Sequence, residues 1–314
     1  MIMKLWFWVF LLNRSFNLVF NLDESHGSVS DRECQRNVAW LEKTDKIKVV
    51  PWKGERKPWH CSKPRIVGGT IALSKEFPHM ASIAFDRRAT KFLCGGSIIS
   101  EFFILSAAHC QSSPRWGAAK WVLIGDTDLA SDMDDAMPTL IPIGRIIPHP
   151  DYKEPSYYND ILLFKLKRKI FFSSFIRPVC LHSETSVGFK YAVATGWGRT
   201  NEGSKASKEL MKVALALVND TVCQDAYNPL KFKTLLDSGL NNDTMICAGN
   251  LNGGYDTCEG DSGGPLLVPS KYHPCIFSQI GITSFGKSCG APNSPAVYTR
   301  VSYFSPWIEK IVWS

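Results

Sequence analysis

Residues 258–266 read CEGDSGGPL. Small residues packed this densely make a tight turn, and a Ser in such a turn is commonly just solvated. The other reading is a bend sharp enough to push one hydroxyl outward while backbone N–H groups converge beside it. A hydroxyl becomes a useful nucleophile only with a base to take its proton, and that base, usually a His, needs a buried carboxylate to hold it. The candidates are His109 in LSAAHC and Asp160 in YYNDILLFKL. Alone, a His beside a Cys is commonly structural, and an Asp opening an apolar strand is commonly a turn residue. Together with Ser262 they run His, Asp, Ser, separated by about 50 and about 100 residues, one of the known chain orders for this triad.

The rest of the chain is consistent with a folded extracellular protein. Its 314 residues are 45% hydrophobic and 21% charged, ordinary globular values that exclude a disordered chain. The net charge of +7 owes much to Lys43, Lys46, Lys48, Lys53, Arg56, Lys57, Lys63 and Arg65. That basic stretch lacks aromatics at stacking intervals, so it reads as a solvated linker and no nucleic-acid partner is expected. Ten Cys occur without a CxxC pair or a Cys/His metal spacing, which fits disulfides in an oxidising compartment. Lys4 precedes LWFWVFLL (5–12), long enough for a signal-peptide core and too short to span a bilayer. Residues 1–20 are therefore read as a signal peptide and the protein as secreted, with no membrane span. Asn219 and Asn242 each open an NDT glycosylation sequon.

Residues 21–65 read as a polar, linker-like segment with no core of its own, holding Cys34 and Cys61. From Ile66 onward, short apolar runs (HMASIAF, KWVLIG, ILLFKL, YAVATGWG) alternate with Gly, Pro, Asp and Ser clusters, the pattern of an all-β barrel or sandwich. Near the end, Phe304, Trp307, Ile308, Ile311 and Val312 recur at helical spacing, with Ser305 as the expected N-cap and Pro306 at the first helical position.

Over about 250 residues, RIVGG, AAHC, NDILL, TGWG, DTCEGDSGGPL, TSFG and VYTRV occur in the order found in trypsin-like serine proteases of the chymotrypsin family, and the chain resembles that family. The resemblance implies two six-stranded antiparallel barrels, an active site in the cleft between them and a C-terminal helix, with 66–314 as the protease domain and 21–65 as pro-segment and light chain. It makes His109 the general base, Asp160 its orienting partner and Ser262 the nucleophile, with the N–H groups of Gly260 and Ser262 forming an oxyanion hole. Asp256 becomes the acid at the base of a pocket for substrate Arg or Lys. Ser284, Phe285 and Gly286 become the strand lining that pocket. Ala296 stands where the family usually has Gly. Arg65–Ile66 becomes the activation bond, whose new Ile66 ammonium would pair with Asp261.

The same resemblance pairs Cys94–Cys110, Cys223–Cys247 and Cys258–Cys289, and Cys61 with Cys180 as a tether. That leaves Cys34 and Cys275, which are then expected to pair. Cys34, Cys275 and the stretch ITSFGKSCGAPNSPAVYTRV are similar to the snake group of arthropod clip-domain proteases, although the six Cys of a clip domain are lacking. This implies a secreted endopeptidase zymogen in an extracellular cascade. Its partners would be a protein substrate (a downstream zymogen or pro-ligand), an upstream activating protease and a serpin-type inhibitor. A catalytically weak adaptor homologue and a digestive trypsin are the alternatives. No cofactor or metal is expected. The acidic run Asp126, Asp128, Asp132, Asp134 and Asp135 reads as a solvated loop rather than a calcium site, and Pro295 stands where sodium-activated relatives carry Tyr.

Overall fold

A computed structural model of the chain describes residues 27–44, 69–131, 137–199, 203–227, 235–254, 256–273 and 275–314. Its strands in chain order are β1 (Thr70–Ile71), β2 (Met80–Ala84), β3 (Phe92–Ile98), β4 (Phe103–Ser106), β5 (Ser112–Ser113), β6 (Gly117–Ala118), β7 (Trp121–Ile124), β8 (Thr139–Pro148), β9 (Leu162–Leu166), β10 (Cys180–Leu181), β11 (Tyr191–Gly196), β12 (Met211–Val218), β13 (Met245–Gly249), β14 (Pro265–Pro269), β15 (Phe277–Phe285) and β16 (Ala296–Arg300). The helices are α1 (Val29–Thr44), α2 (Asp220–Ala226) and α3 (Val301–Val312).

Two antiparallel barrels result. The first closes in the order β2-β3-β4-β9-β8-β7. The second runs β12-β11-β14-β15-β16-β13 and closes through β12 on β13. Closure leaves these strands without open edges, and the apolar runs fill the interiors. Ile83, Ile98, Ile104, Leu105 and Phe164 pack in the first, and Leu215, Leu266, Ile280 and Tyr298 in the second. At the seam, Ser97 Oγ on β3 donates to Gln279 Oε1 on β15 at 2.5 Å. No helix among the described residues is long and apolar enough to cross a membrane.

The C-terminal helix begins at Val301, not at Ser305 and Pro306 as the residue pattern suggests. Arg300 ends β16 and serves as N-cap, so the buried face Val301, Phe304, Ile308 starts a full turn earlier. Ser305 lies inside the helix, its Oγ donating to the Val301 carbonyl at 3.3 Å. The buried face packs on the first barrel's core, so α3 closes the molecule across the seam.

The segment expected to be a linker contains α1, and this is a correction. Cys34, Val38 and Leu41, at helical spacing, are buried against the protease domain. Glu309 on α3 accepts from Ser30 N at 2.9 Å and Ser30 Oγ at 2.7 Å, satisfying a free N–H at the start of α1. Asp31 accepts from Tyr272 OH (2.8 Å), Ser183 Oγ (2.9 Å) and Ser28 Oγ (3.1 Å). Burial raises its carboxyl, but these donors and Lys271 outweigh it and hold the group below the usual carboxylate range.

Docking in this way brings Cys34 onto Cys180 of β10, and the two are bridged with Cα atoms 5.0 Å apart. The expected pairings Cys61–Cys180 and Cys34–Cys275 are therefore both wrong. Cys275 is in a disulfide, and Cys61 lies outside the described residues. Cys94–Cys110, Cys223–Cys247 and Cys258–Cys289 form as expected. Non-reducing peptide mapping is expected to recover Cys34 linked to Cys180. Recovery of Cys34 with Cys275, or of Cys61 with Cys180, would contradict this docking.

Candidate active site

Strand register brings the first two candidate residues together. β4 and β9 pair antiparallel with Ser106 opposite Leu162. A 3-10 turn, Ala108–Gln111, follows β4, while Asp160 precedes β9, so His109 and Asp160 emerge side by side. His109 Nδ1 lies 2.8 Å from Asp160 Oδ2, and His109 N donates to Asp160 Oδ1 at 2.9 Å. Ser284 Oγ on β15 also donates to Oδ2, and Thr299 Oγ1 on β16 donates to the Asp160 carbonyl at 2.8 Å. Asp160 is fully buried. Burial alone would raise its carboxyl, but His109 and the hydrogen-bond donors prevail and hold it below the usual range. Burial would lower His109, yet Asp160, with Glu154 adding to it, holds the imidazole above its ordinary value. An imidazole bound in this way keeps its proton on Nδ1 and presents Nε2 as a base.

The opening stretch is a tight turn with most of its amides occupied. Asp261 N donates to Cys258 O (3.0 Å), Gly264 N to Asp261 O (2.8 Å) and Gly263 N to Thr283 O (2.8 Å). Among the described residues, no acceptor takes the N–H of Gly260 or Ser262. Gly260 has φ +100°, and a Cβ there would lie 2.9 Å from Gly198 Cα, so only Gly fits. The Ser262 carbonyl accepts from Gly95 N at 2.8 Å and lies 3.6 Å from the sulfur of Cys110, the neighbour of His109. The turn is thus pinned beside the His109–Asp160 pair.

Two further acids lie behind the turn. Asp261 accepts from Gly198 N and Cys258 N, both at 2.9 Å, and no cation among the described residues pairs with it. Burial pushes its carboxyl up to about 6. A Cβ on Gly198 would lie 2.5 Å from that carboxylate and one on Gly196 2.1 Å, so the TGWG glycines form its cradle. Asp256 accepts from Thr257 N at 2.8 Å, and burial, with Asp261 adding to it, pushes Asp256 up to about 7. Asp256 and Asp261 line one cavity of about 210 Å3, shared with Gly69 and Lys212. Lys212 is committed to Glu76 at 2.6 Å. Ala296, on β16, is buried, and its methyl lies 4.0 Å from where a Cβ on Gly286 would stand. Arg65 and Ile66 lie outside the described residues.

Several contributors were not evident from sequence. Ser284 was expected only on the pocket strand, yet it bonds Asp160. Tyr157 stacks on Phe285 with ring centroids 4.4 Å apart and meets His109 edge-on at 6.3 Å. The YY pair just ahead of NDILL was the available clue. Donor atoms of Cys94, His109 and Cys110 lie within 4.8 Å of one another, but both sulfurs are committed to their disulfide, leaving one imidazole and no metal site. Asp126 and Asp128 accept from Asp128 N and Ala130 N, both at 3.0 Å, and Asp132, Asp134 and Asp135 lie outside the described residues.

Residues 66–308 match the family model described as Trypsin. The chain is 39% identical to "Serine protease snk" of Drosophila melanogaster over 80% of its length and 58% of that protein's. It is 38% identical to "CLIP domain-containing serine protease B4" of Anopheles gambiae, over 79% of this chain and 71% of the relative. It is 36% identical to "Clotting factor G beta subunit" of Tachypleus tridentatus, over 81% and 83%. The chain belongs to the trypsin family of serine endopeptidases.

The two raised acids set a pH dependence. Each contributes stability that is fully present below 3.8, the ordinary value, and is lost as pH rises through about 6 for Asp261 and about 7 for Asp256. A cation seated against Asp256 offsets that loss only where the carboxylate is charged. An aromatic amidine should therefore raise the thermal midpoint more at pH 8 than at pH 5, and Asp256→Asn should abolish the difference. An equal shift at both pH values would contradict the assignment.

Proposed function

We propose that the chain is a secreted trypsin-like endopeptidase, made as a zymogen, activated by cleavage after Arg65 and hydrolysing protein substrates after Arg or Lys in an extracellular cascade. The observation that carries this is the His109 imidazole held through Nδ1 on a fully buried Asp160, beside the turn bearing Ser262. In the reaction, His109 Nε2 takes the Ser262 Oγ proton as Oγ bonds to the scissile carbonyl carbon. The oxyanion that forms is stabilised by the N–H groups of Gly260 and Ser262, and His109 then protonates the departing amine. Water repeats the cycle on the acyl-enzyme. Asp160 stays charged throughout and stabilises the imidazolium.

Substrate selection is assigned to Asp256, because an uncharged side chain would leave that carboxylate buried and unpaired. Gly286 leaves room for a long side chain, and Ala296 narrows the same wall. Ser284 and Phe285 complete the strand. Activation is assigned to Asp261, a buried acid whose donors are backbone N–H groups. The ammonium of Ile66, three residues before the cavity-lining Gly69, would pair with it. With Cys34 bridged to Cys180, 21–65 would stay attached as a light chain after the cut. Partners of this reading are an activating protease, a zymogen or pro-ligand substrate and a serpin-type inhibitor. Asn219 and Asn242 are exposed and open to glycosylation.

Purified protein cut after Arg65 is expected to hydrolyse an Arg tripeptide amide, and Ser262→Ala should reduce kcat by about 10^6, the loss typical of a missing nucleophile. Arg65→Gln should stay uncut and inactive under the same treatment. Full activity in either variant would overturn the reading.

A further inference from the structure

The first barrel carries a basic surface that neither the catalytic groups nor the pocket uses. The β2–β3 hairpin, FDRRATK (85–91), and the loop SSPRWGAAK (112–120) together hold five cations and one acid. That acid, Asp86, is turned inward. It is 9% exposed, with Oδ1 accepting from Thr90 N (2.7 Å) and Lys91 N (2.8 Å) and Oδ2 from Thr90 Oγ1 (2.9 Å). Its charge is spent on shaping the hairpin. Lys120 joins the two loops: its Nζ donates to the Phe85 carbonyl on one side and to those of Trp116 (3.0 Å) and Ala118 (3.2 Å) on the other. Arg115 lies over the Trp116 ring at 5.0 Å. Arg87, Arg88, Lys91 and Arg115 are exposed, leaving a single-sign surface on a fixed frame.

Its position relative to the chemistry is fixed by β3. Gly95 N bonds the Ser262 carbonyl, and four residues of strand, about 13 Å, separate Gly95 from Lys91. β15 reaches the site through Ser284 on Asp160 and β3 through Gly95 on Ser262, so on the endopeptidase reading a substrate laid along β15 up to its cut bond would leave toward β3. Leu93, 40% exposed, lies on that route. Glu154, an exposed acid, accepts from Gln111 Nε2 at 3.1 Å beside the second loop.

We propose that Arg87, Arg88, Lys91 and Arg115 form a docking surface for an acidic segment of the substrate protein, located C-terminal to the bond that is cut. This rests on the endopeptidase reading and deepens it. Single-sign surfaces of this kind speed encounter and select partners, and their effect falls with salt.

The test uses two peptides with one Arg cut site, identical except that residues roughly four to eight beyond the cut are Glu in one and Gln in the other, a span set by the strand rise. At low ionic strength, kcat/KM is expected to favour the Glu peptide about fivefold, the size several exposed ion pairs give together. The preference should vanish in Arg87→Ala/Arg88→Ala and in 0.5 M NaCl, while an Arg tripeptide amide is cut equally by both proteins. Equal rates on the two peptides, or a preference that survives the double substitution, would overturn the proposal. Absence of tripeptide cleavage would sink the endopeptidase reading instead, and docking is then read by anisotropy of the labelled Glu peptide on Ser262→Ala protein. Binding lost on Arg87→Ala/Arg88→Ala supports the surface. No binding, or binding only of a sulfated oligosaccharide, overturns it.

Discussion

One buried carboxylate connects the parts of this molecule that must act together. Asp160 stands ahead of β9 in the first barrel, yet one donor to its carboxylate, Ser284 Oγ, comes from β15 in the second, and Thr299 Oγ1 of β16 bonds its backbone carbonyl. The other two donors to the carboxylate come from His109. A carboxylate taken wholly out of water costs several kcal/mol unless such partners are in place. The charge is therefore tolerated only when both barrels and the 3-10 turn are assembled. Fold and active-site geometry share that requirement, which is why the imidazole orientation is not a free variable.

Asp261 and Asp256 show the same residue type with the balance reversed. Asp160 has the His109 imidazole and the Ser284 hydroxyl within reach and stays below the usual carboxylate range. Asp261 has two N–H donors and Asp256 chiefly one, so burial dominates and raises them to about 6 and about 7. A site holding two acids short of positive charge favours any cation delivered to it. The proposed activation and the proposed Arg or Lys specificity are two uses of that one deficit, one intramolecular and one from substrate.

How much the sequence disclosed depended on how local each feature is. The strands of both barrels were legible because KWVLIG, ILLFKL and YAVATGWG alternate with turn residues, and the tight turn at 258–266 declares itself in its glycines. α1 was not legible. Its buried apolar residues, among those described, are Cys34, Val38 and Leu41, beside buried Ser30 and Asp31, and what holds it is tertiary: a disulfide to β10, a cap from Glu309 and the Asp31 cluster. The pairings of Cys34 and Cys180 failed for the same reason: the family resemblance gave the three other pairs as they form, but it does not reveal which thiol a docked helix presents. Ser284 could be placed on the pocket strand, but its bond to Asp160 arises only when the second barrel closes against the first. The start of α3 was misplaced because Ser305 and Pro306 carry a local capping signature that the β16–α3 junction overrides.

Buried Asp160 holds His109 in its working tautomer and raises its basicity. The direct measurement is an NMR titration of the His109 ring in Ser262→Ala protein cleaved after Arg65. A strongly downfield Nδ1 proton and an imidazole pKa above 6.5, its ordinary value, are expected, with both lost in Asp160→Asn. An imidazole that titrates at or below its ordinary value, or one unchanged by Asp160→Asn, would contradict this role of Asp160.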